Sequence, residues 1–238
     1  MLGDTPNAIY EIGQNESRRR LFLLGMLATA FGGAGIANAQ SDLSAGGLTF
    51  RDFAVFDNGA SFYQGGDPSK DPEGAGNAQR AKVASIDGEK GLARVRFESI
   101  KIEVALPLGW LALEDWERGV GYSSDRRFRA IFWRLDFAFE GVKDAEHYAA
   151  TKSGAITSRR PGIKAQARKL GDGAFLIAYE NVPAGQGDAD KRAVFDLILA
   201  NPRDAKAGAL ITLGAPTGDS DRALKLLALF RSEIRVEW

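Results

Sequence analysis

The chain has no cysteine and a single histidine, His147, among its 238 residues. Without thiols there are no disulfides, iron–sulfur clusters, thiolate-ligated haem or cysteine nucleophiles. With one imidazole there is no multi-histidine metal site. An excess of either charge is missing too, since Lys plus Arg and Asp plus Glu stand at 31 each. That balance removes the electrostatic case for nucleic acid or an anionic membrane as a partner. No internal repeat is visible, and the G-x-S-x-G, S-x-x-K and H-E-x-x-H motifs are absent. A membrane-length apolar run is lacking as well. The stretch after Arg20 is about 15 residues and is thinned by Gly25, Gly32, Gly33 and Gly35, whereas a spanning helix needs about 20 predominantly apolar residues.

What is present begins with that same stretch. Three basic residues, Arg18, Arg19 and Arg20, precede the Leu/Ala/Gly-rich run, which ends at Ala37-Asn38-Ala39. A charged segment, an apolar core and an A-x-A site predict a cleaved export signal spanning 1–39, with Gln40 as the new N-terminus. The segment Ser17-Arg18-Arg19-Arg20-Leu21-Phe22 resembles the twin-arginine signal of bacterial Tat substrates. The resemblance implies a periplasmic protein with no stable membrane anchor after cleavage. A general secretory signal that happens to hold three arginines is the alternative. Removing 1–39 leaves about 199 residues, 45% of the whole chain being hydrophobic and 10% aromatic, enough for one domain with a proper core.

Along the mature chain the spacing predicts an N-terminal hairpin over 48–63 turning at Asn58-Gly59, then a Gly/Pro/Asp-rich linker to residue 79. From 80 to 238 a single domain is expected, made mostly of strands. Alternation marks strands around Val95, around Val104, from Ile131 to Phe139, on either side of Gly171-Asp172-Gly173, and around Leu197 and Ile211. Helical spacing appears over 143–157, and again after Asp219 or Ser220, either of which can cap the helix bearing Ala223, Leu226, Leu227 and Phe230. The fold class is therefore α+β: a mostly antiparallel sheet with two or more helices packed on it. Within it, Ile102-Glu103-Val104-Ala105-Leu106-Pro107-Leu108-Gly109-Trp110 resembles the opening of PsbP-like and Mog-like domains, and the order of later elements follows suit. Leu108 departs from that pattern, which usually carries a polar residue in the turn. The resemblance implies a binding or assembly module without shared catalytic residues. Trp110 reads as a core anchor.

Candidate chemistry is thin. Gly218-Asp219-Ser220-Asp221 resembles a Gly-Asp-Ser nucleophile block, but its only available base is His147, on the polar face of the first helix, so the block reads as a helix cap. Asp188, Asp190 and Asp196 lack the glycine and terminal acid of a calcium loop, and Asp67, Asp71 and Glu73 are broken by prolines. Glu114, Asp115 and Glu117 cluster around Trp116 and could line a sugar site, although an exposed turn leading to Gly119-Val120-Gly121 is the plainer reading. Arg126, Arg127 and Arg129 surround Phe128, and Arg159 and Arg160 precede Pro161. Arginine beside aromatics is enriched at interfaces, which makes these the candidate contact residues. No catalytic, metal or cofactor-binding residue is assigned, and no cofactor is expected. The resulting expectation is an exported, non-catalytic accessory protein with a protein partner in the envelope. One alternative is a small-ligand or lipid carrier with a cavity lined by Phe132, Trp133, Phe137, Phe175 and Tyr179. The other is a hydrolase using a carboxylate or Ser220.

Overall fold

The alternation of apolar and charged residues in Leu-Ala-Arg-Val-Arg-Phe and Ile-Glu-Val-Ala-Leu-Pro sets the first layer of the fold, because a pleated strand sends successive side chains to opposite faces. The computed structural model describes residues 43–55, 79–183 and 191–238. The signal residues Arg18, Arg19, Arg20, Ala37 and Ala39 lie outside them.

Twelve strands are described: β1 Gln79–Arg80, β2 Lys82–Asp87, β3 Leu92–Phe97, β4 Ile102–Pro107, β5 Trp110–Glu114, β6 Arg118–Ser123, β7 Arg129–Asp136, β8 Lys164–Lys169, β9 Ala174–Val182, β10 Arg192–Asn201, β11 Asp204–Pro216 and β12 Arg235–Val236. Helix α1 is Ala145–Arg159 and helix α2 is Ser220–Glu233. Every described pairing is antiparallel. The strands form an eight-stranded sheet in the order β1-β5-β6-β7-β11-β10-β9-β8 and a four-stranded sheet in the order β12-β4-β3-β2. The expected α+β class, a mostly antiparallel sheet carrying two helices, is what the chain adopts.

Parity along the strands divides the interior in two. One face of the large sheet, with Trp110, Phe132, Ile211 and Leu213, packs against α2 and the small sheet, burying Phe97, Val104, Leu226 and Phe230. The opposite face, with Ile131, Trp133, Ile177, Ile198 and Leu210, packs against Tyr148, Ala149 and Ile156 of α1. The two helices therefore lie on opposite sides of one sheet. Asp144 caps α1 by accepting the His147 N–H at 2.8 Å.

Three local expectations change. Residues 48–55 are not the first strand of a hairpin: Phe50–Phe53 is a 3-10 turn, closed by Asp52 Oδ2 accepting from the Thr49 N–H at 2.8 Å and its hydroxyl at 2.9 Å. A spacing of three puts Phe50 and Phe53 on one side of such a turn, and both are buried in the core. The remainder of that hairpin, including Asn58-Gly59, lies outside the described residues. The turn around Trp116 leads into Gly119 and Gly121 as expected, and these lie in strand β6 where the sheets approach closely: a Cβ on Gly119 would stand 2.4 Å from the Phe97 ring. Strand β7 stops at Asp136, leaving Phe139 on the turn beyond it. The side chain of Asp219 makes no capping bond to α2 and instead accepts from Arg127 Nη2 at 2.6 Å and Nε at 3.1 Å.

The Pro107-Leu108-Gly109-Trp110 turn behaves as read. Trp110 is fully buried and its indole N–H donates to the Phe53 carbonyl at 3.0 Å. Gly109 holds φ +79°, and a side chain there would collide with the Val55 carbonyl. The apolar residue at 108 is explained by the 43–55 segment. Val55 donates to the Leu108 carbonyl at 2.9 Å, and the Leu108 side chain is buried.

Candidate binding cleft

On the α1 side a cleft of about 530 Å³ opens where the N-terminal half of α1 meets β7 and two turns. Its floor is Trp133 and Leu135 of β7, Leu210 of β11, and Tyr148 and Lys152 of α1. Its mouth is marked by two aromatic side chains that the fold leaves in water: Trp116 is 73% exposed and Phe139 79%. Ser99, Glu117, Arg134, Asp136 and Glu140 supply the polar lining.

Both aromatic turns are held rigidly. Asp115 Oδ1 accepts the N–H groups of Glu117 and Arg118 at 2.8 and 3.0 Å, and Oδ2 accepts Arg118 Nε at 2.8 Å. Asp136 Oδ1 accepts the N–H groups of Ala138 and Phe139 at 3.0 and 3.1 Å. These are Asx-type turns, in which a short carboxylate replaces a backbone acceptor and fixes the chain around it. The Arg118 guanidinium lies 5.4 Å from the Trp133 ring centroid, bracing the floor from the other side. Burial, together with the nearby Arg129 charge, pushes the Arg118 pKa down to about 10, so it stays protonated at neutral pH.

Beneath the cleft lies a polar cluster that the sequence reading missed. Lys152 Nζ sits 3.1 Å from Asp196 Oδ2, with both side chains almost completely buried. Asp196 also accepts from the Tyr179 hydroxyl at 2.8 Å and the Thr212 hydroxyl at 2.5 Å. Such a pair holds together because its remaining lone pairs are satisfied; one partner alone would be an uncompensated buried charge. Two signals were available. Lys152 falls at helical spacing on the apolar face of α1, and Asp196 shares strand parity with Val194 and Ile198.

The sequence-nominated residues separate. Arg126 is exposed and stacks 4.9 Å from the Tyr122 ring centroid, Arg127 is committed to Asp219, and Arg129 is half-buried at the start of β7. Phe128 is a core residue, stacked on Trp110 at 6.3 Å, which takes it off any contact surface. Arg159 ends α1 and Arg160 follows as its C-cap. Of the Trp116 cluster, Glu114 is buried and accepts from the Ser99 hydroxyl at 3.1 Å, and Asp115 is consumed by its turn. Only Trp116 and Glu117 reach the cleft. Of the side chains expected to line an interior cavity, Phe132, Phe137 and Phe175 are packed within the two cores, Tyr179 is buried and bonded to Asp196, and Trp133 faces the cleft. His147 on α1 and Ser220 on α2 stand on opposite sides of the large sheet, which separates that nucleophile from its base. Asp196 is spent on Lys152, while Asp67, Asp71, Glu73, Asp188 and Asp190 lie outside the described residues. No described helix is long and apolar enough to cross a membrane.

No family model matches the chain, and no curated protein matches it significantly. Among solved structures it is similar to the Ran-binding protein Mog1p of Saccharomyces cerevisiae, at 14% identity and a TM-score of 0.44 over 61% of this chain and 95% of that one. It is also similar to the PsbP protein (CyanoP) of Synechocystis sp. PCC 6803, at 16% identity and a TM-score of 0.45 over 64% of this chain and 98% of that one. These are the two kinds of domain named by the resemblance at Ile102–Trp110.

Proposed function

We propose that the protein is exported to the bacterial periplasm, loses residues 1–39, and acts there by binding a protein partner rather than by catalysis. One observation carries the binding reading: Trp116 and Phe139, both largely exposed, flank an aromatic-floored cleft on turns fixed by Asp115 and Asp136. A fold normally buries such side chains. Displaying two of them on pre-organised turns reduces stability for no structural return, and aromatic anchors of this kind dominate binding energy at interfaces. The export reading is supported by the basic, apolar and A-x-A segments ending at Ala39.

The test is a native mass spectrum of protein purified gently from its own periplasm, beside the Trp116→Ala/Phe139→Ala variant. The reading expects a chain of residues 40–238 carrying a protein increment that the variant loses. A bare chain, or an increment indifferent to the variant, refutes it. For export, Arg18→Lys/Arg19→Lys should leave uncleaved precursor in the cytoplasm if the Tat route is used. A second reading, a small-ligand carrier, is favoured by the cleft volume, which falls in the usual range for ligand pockets. A small-molecule increment in the same spectrum would select it.

A further inference from the structure

We infer that the cleft selects a basic partner segment: a stretch carrying an apolar side chain flanked by Lys or Arg. This rests on the reading of the cleft as the binding surface and adds to it the chemistry of the occupant.

The charges around the cleft carry the inference. Three carboxylates line it, Glu117, Asp136 and Glu140, against two cations, Arg134 and Lys152. The Lys152 charge is offset from below by Asp196 at 3.1 Å. Arg134 is drawn aside: it donates to the Glu237 carbonyl and lies 5.9 Å from the Trp238 ring centroid. Glu117 and Asp136 therefore give the rim that a partner meets an acidic edge, and its exposed surfaces are the Trp116 and Phe139 rings, whose faces attract cations. The floor is different. Trp133, Leu135, Leu210 and Tyr148 offer an apolar surface, on which a charged group would lose its hydration without gaining a partner. An occupant that satisfies both zones places an apolar side chain on the floor and its positive charges at the rim. An anionic segment would meet Glu117 and Asp136 on entry, and like-charge contact of that sort is a strong discriminator between partners.

The experiment is a calorimetric titration of the protein with three hexapeptides having the cores Lys-Leu-Phe-Lys, Ser-Leu-Phe-Ser and Glu-Leu-Phe-Glu, followed in parallel by tryptophan fluorescence. The Lys peptide should bind about tenfold or more tighter than the Glu peptide, with the Ser peptide between them and the gap narrowing as salt is raised. Glu117→Lys should abolish or invert that order, and Trp116→Ala/Phe139→Ala should remove binding of every peptide. Equal affinity for Lys and Glu peptides, still lost in the aromatic variant, overturns the charge preference and leaves the cleft as the binding surface. Binding that survives the aromatic variant, or no binding of any peptide, overturns both.

Discussion

The two faces of the eight-stranded sheet are built from the same alternation and are finished differently. The face toward α2 is closed and almost purely apolar. Phe97, Phe132, Phe230 and Trp110 form a continuous ring cluster there, with centroid separations of 5.5 Å for Phe97–Phe132, 5.7 Å for Phe132–Phe230 and 6.1 Å for Trp110–Phe230. The Trp110 indole N–H inside it is satisfied by the Phe53 carbonyl. The face toward α1 is interrupted by charge, with Lys152 and Asp196 inside it and Arg118 against Trp133, and one end opens into the cleft. The first face spends its aromatic area on stability. The second leaves part of its aromatic area in water, at Trp116 and Phe139, as the proposed binding role requires.

Substitutions can break or sharpen this contrast. The largest loss is expected on the closed side: Trp110→Ala empties the biggest fully buried side chain and should cost about 3–5 kcal/mol in denaturant unfolding. On the interrupted side, Lys152→Met strands the Asp196 carboxylate and should cost about 3 kcal/mol, most of which returns when Asp196→Asn is added. A double variant no more stable than the single would mean the two charges are not coupled. Gly119→Ala forces a methyl group onto the Phe97 ring and should cost about 1–3 kcal/mol. Acid acts more gently. The Thr49 N–H and hydroxyl hold the Asp52 carboxyl below its ordinary value of 3.8, so its stabilisation is full above that pH and fades as pH falls through the lowered value. A melting curve for the wild type and Asp52→Asn should therefore converge in strong acid.

Much of this architecture was legible in the chain. Arg129–Asp136, Ala174–Val182, Arg192–Asn201 and both helices follow period-2 or period-3.6 patterns that burial enforces. The failures share a cause, which is that a residue's local preference was overruled by what packs against it. The buried ion pair is one case: Lys152 and Asp196 are charged side chains, which by themselves prefer water, yet packing places both inside the α1 face. Phe50 and Phe53 look like alternating strand residues until the core that takes both from one side is visible. The site was less legible still. Trp116 stands out in the sequence for its acidic neighbours, but alternation puts Phe139 on a strand, and only the end of β7 at Asp136 brings the two to one cleft. Partnership across 23 positions of sequence is set by tertiary packing, and no spacing rule encodes it.

The smallest stability change belongs to the most consequential substitution. Trp116→Ala/Phe139→Ala removes two exposed side chains and should shift unfolding by no more than about 0.5 kcal/mol per site, while abolishing partner retention. Measuring denaturant unfolding and partner binding on that one variant tests the division of labour between the two faces most directly. Unchanged stability with lost binding is the predicted result. Retained binding, or a loss of stability on the scale of Trp110→Ala, would contradict it.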